Sequence, residues 1–298
     1  RRSHKRNQRV VMFWCAFVFA FVIAGVWLFR GTLFQNDSGA SSSGTNQSRH
    51  DACGTADSRQ KSTDVTQAPM DHEVCQKLQD LVSQDQRVQQ VIDNCEIYPE
   101  DILKMLSRNL DMLNFVLEYP EKVGQVFAET VGEVEGGEVP LLLQYDQRWG
   151  YGDYGNSSVA VSGCGPACLS MVITSLTGDD TITPYVVAQY ASEQGYYVPG
   201  AGTAWTLMSE GAKHFGVIGE ELPLTKSIME GVLKEGRPII CSMRPGDFTT
   251  TGHFIVITGI KDGQFTVNDP NSTERSNMLW DYDNFETANQ QSMGIQAL

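Results

Sequence analysis

Three side chains far apart along the sequence could share one reaction. Cys164 lies in Ser162-Gly163-Cys164-Gly165-Pro166-Ala167-Cys168, a glycine-rich turn that runs into apolar residues at 169, 172, 173 and 176. That spacing predicts a helix with Cys164 at its mouth, Pro166 at its first position and Gly178 as its stop. Unpaired N–H groups and the macrodipole at a helix start favour an anion, and such a setting makes a cysteine sulfur nucleophilic. For any single thiol the plainer account is burial, because free cysteine is among the most buried residue types. His253 and Asp269 alter that balance. His253 opens the run HFIVITGI behind Gly252, and Asp269 closes the run QFTVN ahead of Pro270. A thiol that attacks, an imidazole that relays its proton and a carboxylate that orients the ring are the parts of nucleophilic acyl transfer.

Whether the imidazole and the carboxylate can meet depends on the elements that carry them. Lys261-Asp262-Gly263 separates the two runs and reads as a hairpin turn. A two-residue loop would send His253 and Asp269 to opposite faces. A three-residue loop with Gly263 left-handed, forming a bulge, shifts the pairing by one. His253 then lies opposite Asn271, on the same face as Asp269 and one diagonal step away, while Asn268 points elsewhere. The sequence favours this second arrangement, since it wants glycine at the third loop position.

Around these residues the period changes along the chain. Val139 to Gln144 reads as an entering strand, and Tyr145 to Gly150 as the turn after it. Helices are expected at Pro184 to Gln194, from a Thr203 cap to about Phe215, and from a Thr225 cap to about Glu235. Strands follow at 237–243, 253–260 and 264–268. Helices first and antiparallel strands after make an α+β domain over 138–298. Ahead of it, residues 71–137 form a helical accessory segment, with apolar residues at helical spacing and breaks at Asn94, Pro99 and Pro120. No chemistry is evident in that segment.

The net charge is −14, yet five cations crowd the first nine residues. The acidic remainder is a poor partner for nucleic acid, which needs a basic footprint. Residues 10–29 carry no charge, and twenty apolar residues are enough to span a bilayer. With the cations on the N-terminal side, residues 1–9 are a cytoplasmic tail and 10–29 a single-pass transmembrane anchor. A cleaved signal peptide is the rival, although its apolar core is usually shorter. Either way the rest lies outside the cytoplasm, on a Ser-, Gly- and Asn-rich stalk at 30–70 too polar to fold by itself.

Seven cysteines are present. An antiparallel pair of short helices would bring Cys75 and Cys95 together, and outside the cell a disulfide there is expected. Cys168 and Cys241 read as buried small hydrophobes. A C-x₃-C pair without a second pair nearby does not match a zinc site, and no cofactor is called for.

From Glu138 to the last residue the chain resembles bacterial papain-like cysteine peptidases of the family-39-like type, relatives of the bacteriocin-processing endopeptidases. The matching pieces are QYDQRWG at 144–150, SGCGPACLSMV at 162–172, GTAW at 202–205, TTGHFIVITG at 250–259 and FTVNDPN at 265–271. The resemblance implies a papain-like fold, with Cys164 as nucleophile, His253 as general base and Asp269 as its orienter. One departure stands out. Such enzymes place an oxyanion-hole Gln six residues before the Cys, where this chain has Ser158. Gln144 is the first substitute and Gln147 the second, since a side-chain amide and the Cys164 N–H would together hold the oxyanion. The expectation is a membrane-anchored, extracytoplasmic bacterial cysteine peptidase that cleaves a peptide or protein. A cell-wall amidase, a transpeptidase and a non-catalytic peptide-binding module remain open, because loops rather than the triad set substrate and acceptor.

Overall fold

The computed structural model describes residues 71–298. The basic tail, the apolar stretch 10–29 and the stalk lie outside the described residues. Among those described, no helix is long and apolar enough to cross a membrane.

Four helices form the accessory segment: α1 (His72–Val82), α2 (Val88–Asp93), α3 (Glu100–Leu106) and α4 (Leu113–Lys122). Each buries one stripe, and Leu78, Val91, Ile102, Leu106 and Val116 make an apolar core of their own. Asp71 caps α1 by accepting from the Glu73 N–H at 2.9 Å. Pro120 is not a break: it lies inside α4, close to its end. This core does not stop at the segment's edge. It takes in Tyr145, Tyr151 and Ala160, and Tyr151 stacks on Phe115 with ring centroids 4.3 Å apart.

Cys75 and Cys95 are not linked by a disulfide. A bridge needs the two Cβ atoms about 3.8 Å apart with both bonds turned inward. Cys95 begins a 3-10 turn and packs onto the helical core.

A one-turn helix α5 (Val159–Ser162) leads through Gly163 into α6 (Cys164–Thr177). Gly165 to Thr174 are all buried, so α6 is apolar all round and sits at the centre of the larger core. It ends as expected at Gly178, in the left-handed region at φ 71°, with its N–H donating to the Thr174 carbonyl. Pro166 is the third helical residue, not the first. It costs nothing there, because the first four helical N–H groups have no intrahelical acceptor. Helix α7 (Pro184–Glu193) packs on α6, with Thr183 as its cap.

Six strands form the main sheet: β1 (Val217–Leu222), β2 (Ile239–Met243), β3 (His253–Lys261), β4 (Gln264–Asn268), β5 (Leu279–Trp280) and β6 (Asn289–Ala297). Their spatial order is β1-β6-β2-β3-β4-β5, antiparallel throughout. Helix α6 covers one face, meeting Ile240, Val256 and Met293. Helix α8 (Lys226–Lys234), with Phe248 and Phe285, covers the other, meeting Cys241, Ile255 and Val267. The domain is therefore α+β, with helices against an antiparallel sheet.

Two elements differ from the sequence reading. Val139 to Gln144 is an extended loop, tied by single bonds: Asn268 Nδ2 donates to the Val139 carbonyl, and the Gln144 N–H to that of Pro270. Pro140 has no N–H for a ladder there. Thr203 caps no helix. It lies in a two-residue ladder, Gly202–Thr203 with Tyr197–Val198, and its hydroxyl bonds the Tyr154 hydroxyl at 2.8 Å. The chain after it makes only the short turns Thr206–Ser209 and Gly211–Phe215.

The β3–β4 hairpin reaches the expected register by another route. Asp262 and Gly263 both have positive φ, 55° and 82°, as a two-residue type I′ loop requires. Near the loop Lys261 faces Gln264 and Gly259 faces Thr266. An irregularity between Ile257 and Gly259 then slips the pairing by one, so that Ile257 faces Val267 and Val256 faces Asn268. The bulge sits at Thr258, not in the turn.

Candidate active site

Cys164 is the first residue of α6, His253 the first of β3, and Asp269 follows β4 directly. The register set by the bulge brings the last two together: His253 Nε2 and Asp269 Oδ1 are 2.8 Å apart. Cys164 lines the same cleft as this imidazole and is near enough to help raise it. With Nε2 committed to Asp269, Nδ1 is the nitrogen left for the sulfur.

Asp269 is fully buried and held from several sides. Its Oδ1 also accepts from the Asn271 N–H at 2.8 Å, and its Oδ2 accepts from Arg275 Nε at 2.6 Å. Its own N–H donates to Ser276 Oγ. Burial pushes its carboxyl up, but the charge and bond of His253, reinforced by Arg275, hold it below the ordinary carboxylate value. Burial likewise pulls the His253 imidazole down. The charge of Asp269 and the bond to it outweigh that, Cys164 adds to them, and the ring is raised to about 10. The pair is thus an ion pair in the interior, sustained because every carboxylate oxygen has a partner.

Glycines let the backbone come this close. A Cβ on Gly163 would lie 2.4 Å from the Val159 carbonyl oxygen, and one on Gly165 2.6 Å from Thr203 Oγ1. Thr203 thus braces the first turn of α6.

Gln144 lies in the cleft with Cys164 and His253, buried. Its Nε2 donates to the Ala160 carbonyl at 2.6 Å, which leaves one amide hydrogen over, while Oε1 has no partner. Gln147 is turned away, donating to Glu118 Oε2 at 2.9 Å. Ser158 is buried and does not line the cleft. Trp205 stacks on Phe254 and donates to Glu221, also off the cleft.

The cleft measures about 630 Å³ and has two walls. One is the loop Gly246–Gly252 and residues 271–275. The other is the accessory segment, through Leu81, Met105 and the stretch Ser107–Asp111. Sequence reasoning found neither Arg275 nor this second wall. Arg275 comes from a one-turn helix, Thr273–Ser276, which no periodicity announces.

The pattern of the Peptidase_C39 like family matches residues 137–296. Among solved structures, the peptidase domain of Streptococcus ComA, a bi-functional ABC transporter involved in a quorum-sensing pathway, is similar to this chain. It is 16% identical, with a TM-score of 0.37, over 46% of this chain and 93% of that one. A structure described as a C39-like peptidase from Bacillus anthracis is 13% identical, with a TM-score of 0.38, over 54% of this chain and 96% of that one. No curated protein matches the sequence. The family pattern spans more than half of the sequence and contains Cys164, His253 and Asp269, and by it the chain belongs to the Peptidase_C39 like family.

Proposed function

We propose that this protein is a cysteine peptidase in which Cys164 attacks the scissile carbonyl, His253 manages the proton and Asp269 holds the ring. The observation that carries the reading is the buried contact of 2.8 Å between His253 and Asp269, with Cys164 lining the same cleft. An imidazolium beside a sulfur favours the thiolate. The thiolate adds to the carbonyl carbon, and the oxyanion meets the Cys164 N–H and the spare amide hydrogen of Gln144. His253 then gives its proton to the departing amine, leaving an acyl-enzyme. Water, deprotonated by His253, attacks the thioester; the acid leaves, and the sulfur and ring recover their starting state.

Residues 1–9 and 10–29 serve in this reading as cytoplasmic tail and membrane anchor. Residues 30–70 are the stalk, 71–137 the accessory segment and 138–298 the catalytic domain outside the cell. Twenty uncharged residues behind a basic tail support it.

An activity-based thiol probe, with the labelled site identified by mass spectrometry, tests the chemistry. Labelling at Cys164 in the wild type and none in Cys164→Ala is expected. No labelling under reducing conditions would sink the reading. Cleavage of casein-type peptides set against release from peptidoglycan fragments separates a peptidase from a cell-wall amidase. Protease shaving of intact cells, which removes 138–298 only if it lies outside, tests the topology.

A further inference from the structure

The accessory helices do more than pack on a neighbour, because one flank of them is left half-covered inside the cleft. Leu81, Met105 and Leu110 rim the helical core and line the cleft together with Val161, three residues before Cys164. Helix α3 packs on α1 and on α5, so these side chains follow one another from α1 to the start of the nucleophile helix. They are not spare core: behind them Leu78, Ile102 and Leu106 are already fully buried. They are instead an apolar strip held open beside the sulfur.

The strip is also fixed in place. Asn109 Nδ2 donates to the Asn271 carbonyl at 2.9 Å, and Thr273 Oγ1 donates to Asp111 Oδ2. Both bonds fasten the accessory segment to the loop that follows Asp269. Across the cleft, Arg108 Nη1 reaches Thr250 Oγ1 at 3.4 Å. A wall tied to the hairpin end keeps its distance from His253, as a pre-organised subsite must.

We propose that Leu81 of α1, Met105 of α3 and Leu110 form an apolar subsite in an otherwise polar substrate cleft, and that the enzyme prefers peptides with a bulky aliphatic or aromatic side chain a few residues from the scissile bond. The occupant follows from continuity: the strip ends at the residues flanking Cys164, so whatever peptide reaches the sulfur lies along it. This rests on Cys164 being the nucleophile.

Binding can be read without turnover. Full-length Cys164→Ala is titrated with fluorescein-labelled hexapeptide pools carrying Leu, Phe, Gly, Asp or Lys at one fixed position at a time. At one position Leu or Phe is expected to bind about tenfold tighter than Gly, within the roughly 10- to 200-fold that apolar groups contribute in such pockets. That advantage is expected to vanish when Met105→Asn or Leu81→Asn is added, with far-UV circular dichroism unchanged. Two partly exposed positions are used so that the comparison survives the unfolding of either variant. The same preference in both variants, or no preference for an apolar side chain anywhere, overturns the subsite. So does a change in sedimentation mass on Leu81→Asn with the peptide preference intact, since the strip would then cover a second copy. Iodoacetamide labelling of Cys164 in the parent protein is read separately. Its failure would count against the nucleophile and leave the binding preference standing.

Discussion

His253 is pulled in two directions, and the outcome sets the pH at which the site can work. Burial alone would keep the ring neutral, and Asp269 turns it into a cation. In Asp269→Asn burial is opposed by Cys164 alone, so the imidazolium is lost at lower pH, and the alkaline limb of kcat/KM moves down from near pH 10. At pH 7.5 a loss of about 10²–10⁴ is expected, the usual worth of a positioned acid–base group. A pH–rate profile that keeps its alkaline limb would contradict this. The same ionisations link to stability. A raised histidine stabilises the fold fully below its ordinary 6.5 and loses that contribution as pH climbs through about 10. A depressed aspartate contributes above its ordinary 3.8 and loses it as pH falls through the lower native value. Urea midpoints are therefore expected to peak between pH 3.8 and 6.5 as far as this pair is concerned, and the peak should flatten in Asp269→Asn. Arg275 is the partner the sequence hid. Arg275→Ala strips one oxygen of a buried carboxylate of its donor and should cost about 2–3 kcal/mol in urea unfolding, with Arg275→Lys recovering part. The pairing of His253 and Asp269 was legible only in part: alternation limits which side chains share a face, but the one-residue slip that brings these two together left no mark in the sequence. Arg275 was not, because a one-turn helix has no period to detect.

At the scale of elements, the placing of Cys164 depends on a corner that tolerates no side chain. Gly163 joins α5 to α6 where a Cβ would fall 2.4 Å from the Val159 carbonyl. Gly163→Ala must move backbone, so a stability loss of about 1–3 kcal/mol is expected by thermal melting, with a larger fractional fall in kcat as Cys164 leaves its place opposite His253. Helix α6 could be read from the sequence because its glycine punctuation and apolar run agree with each other. The hairpin shows the opposite case. Its register came out as expected although the reason was wrong: Asp-Gly suits both two- and three-residue loops, and nothing local announces a bulge at Thr258. Thr203 misled because threonine serves as a helix cap and as a strand residue alike. Strands β1 and β6 went unseen because VIGEEL and NQQSMGIQA carry weak alternation.

On the scale of the whole molecule, the accessory helices draw Tyr145, Tyr151 and Ala160 of the following domain into their own apolar core, which no linear reading could show. Tyr145, Tyr151 and Ala160 lose their cover when residues 71–137 are removed. Such a truncation is expected to melt at least 10 °C lower or to aggregate on expression, since a few kcal/mol shift a domain of this size by several degrees each. A 138–298 fragment that melts like the full chain would contradict this. The sheet carries a further consequence. Strand β6 is wedged between β1 and β2, so edge strand β1 joins the other four strands only through it. While the polypeptide is still emerging from the ribosome, that gap stays open until about residue 297 has been synthesised. The growing chain therefore carries Val217–Leu222 without its ladder partner until the strand that pairs with it has been made.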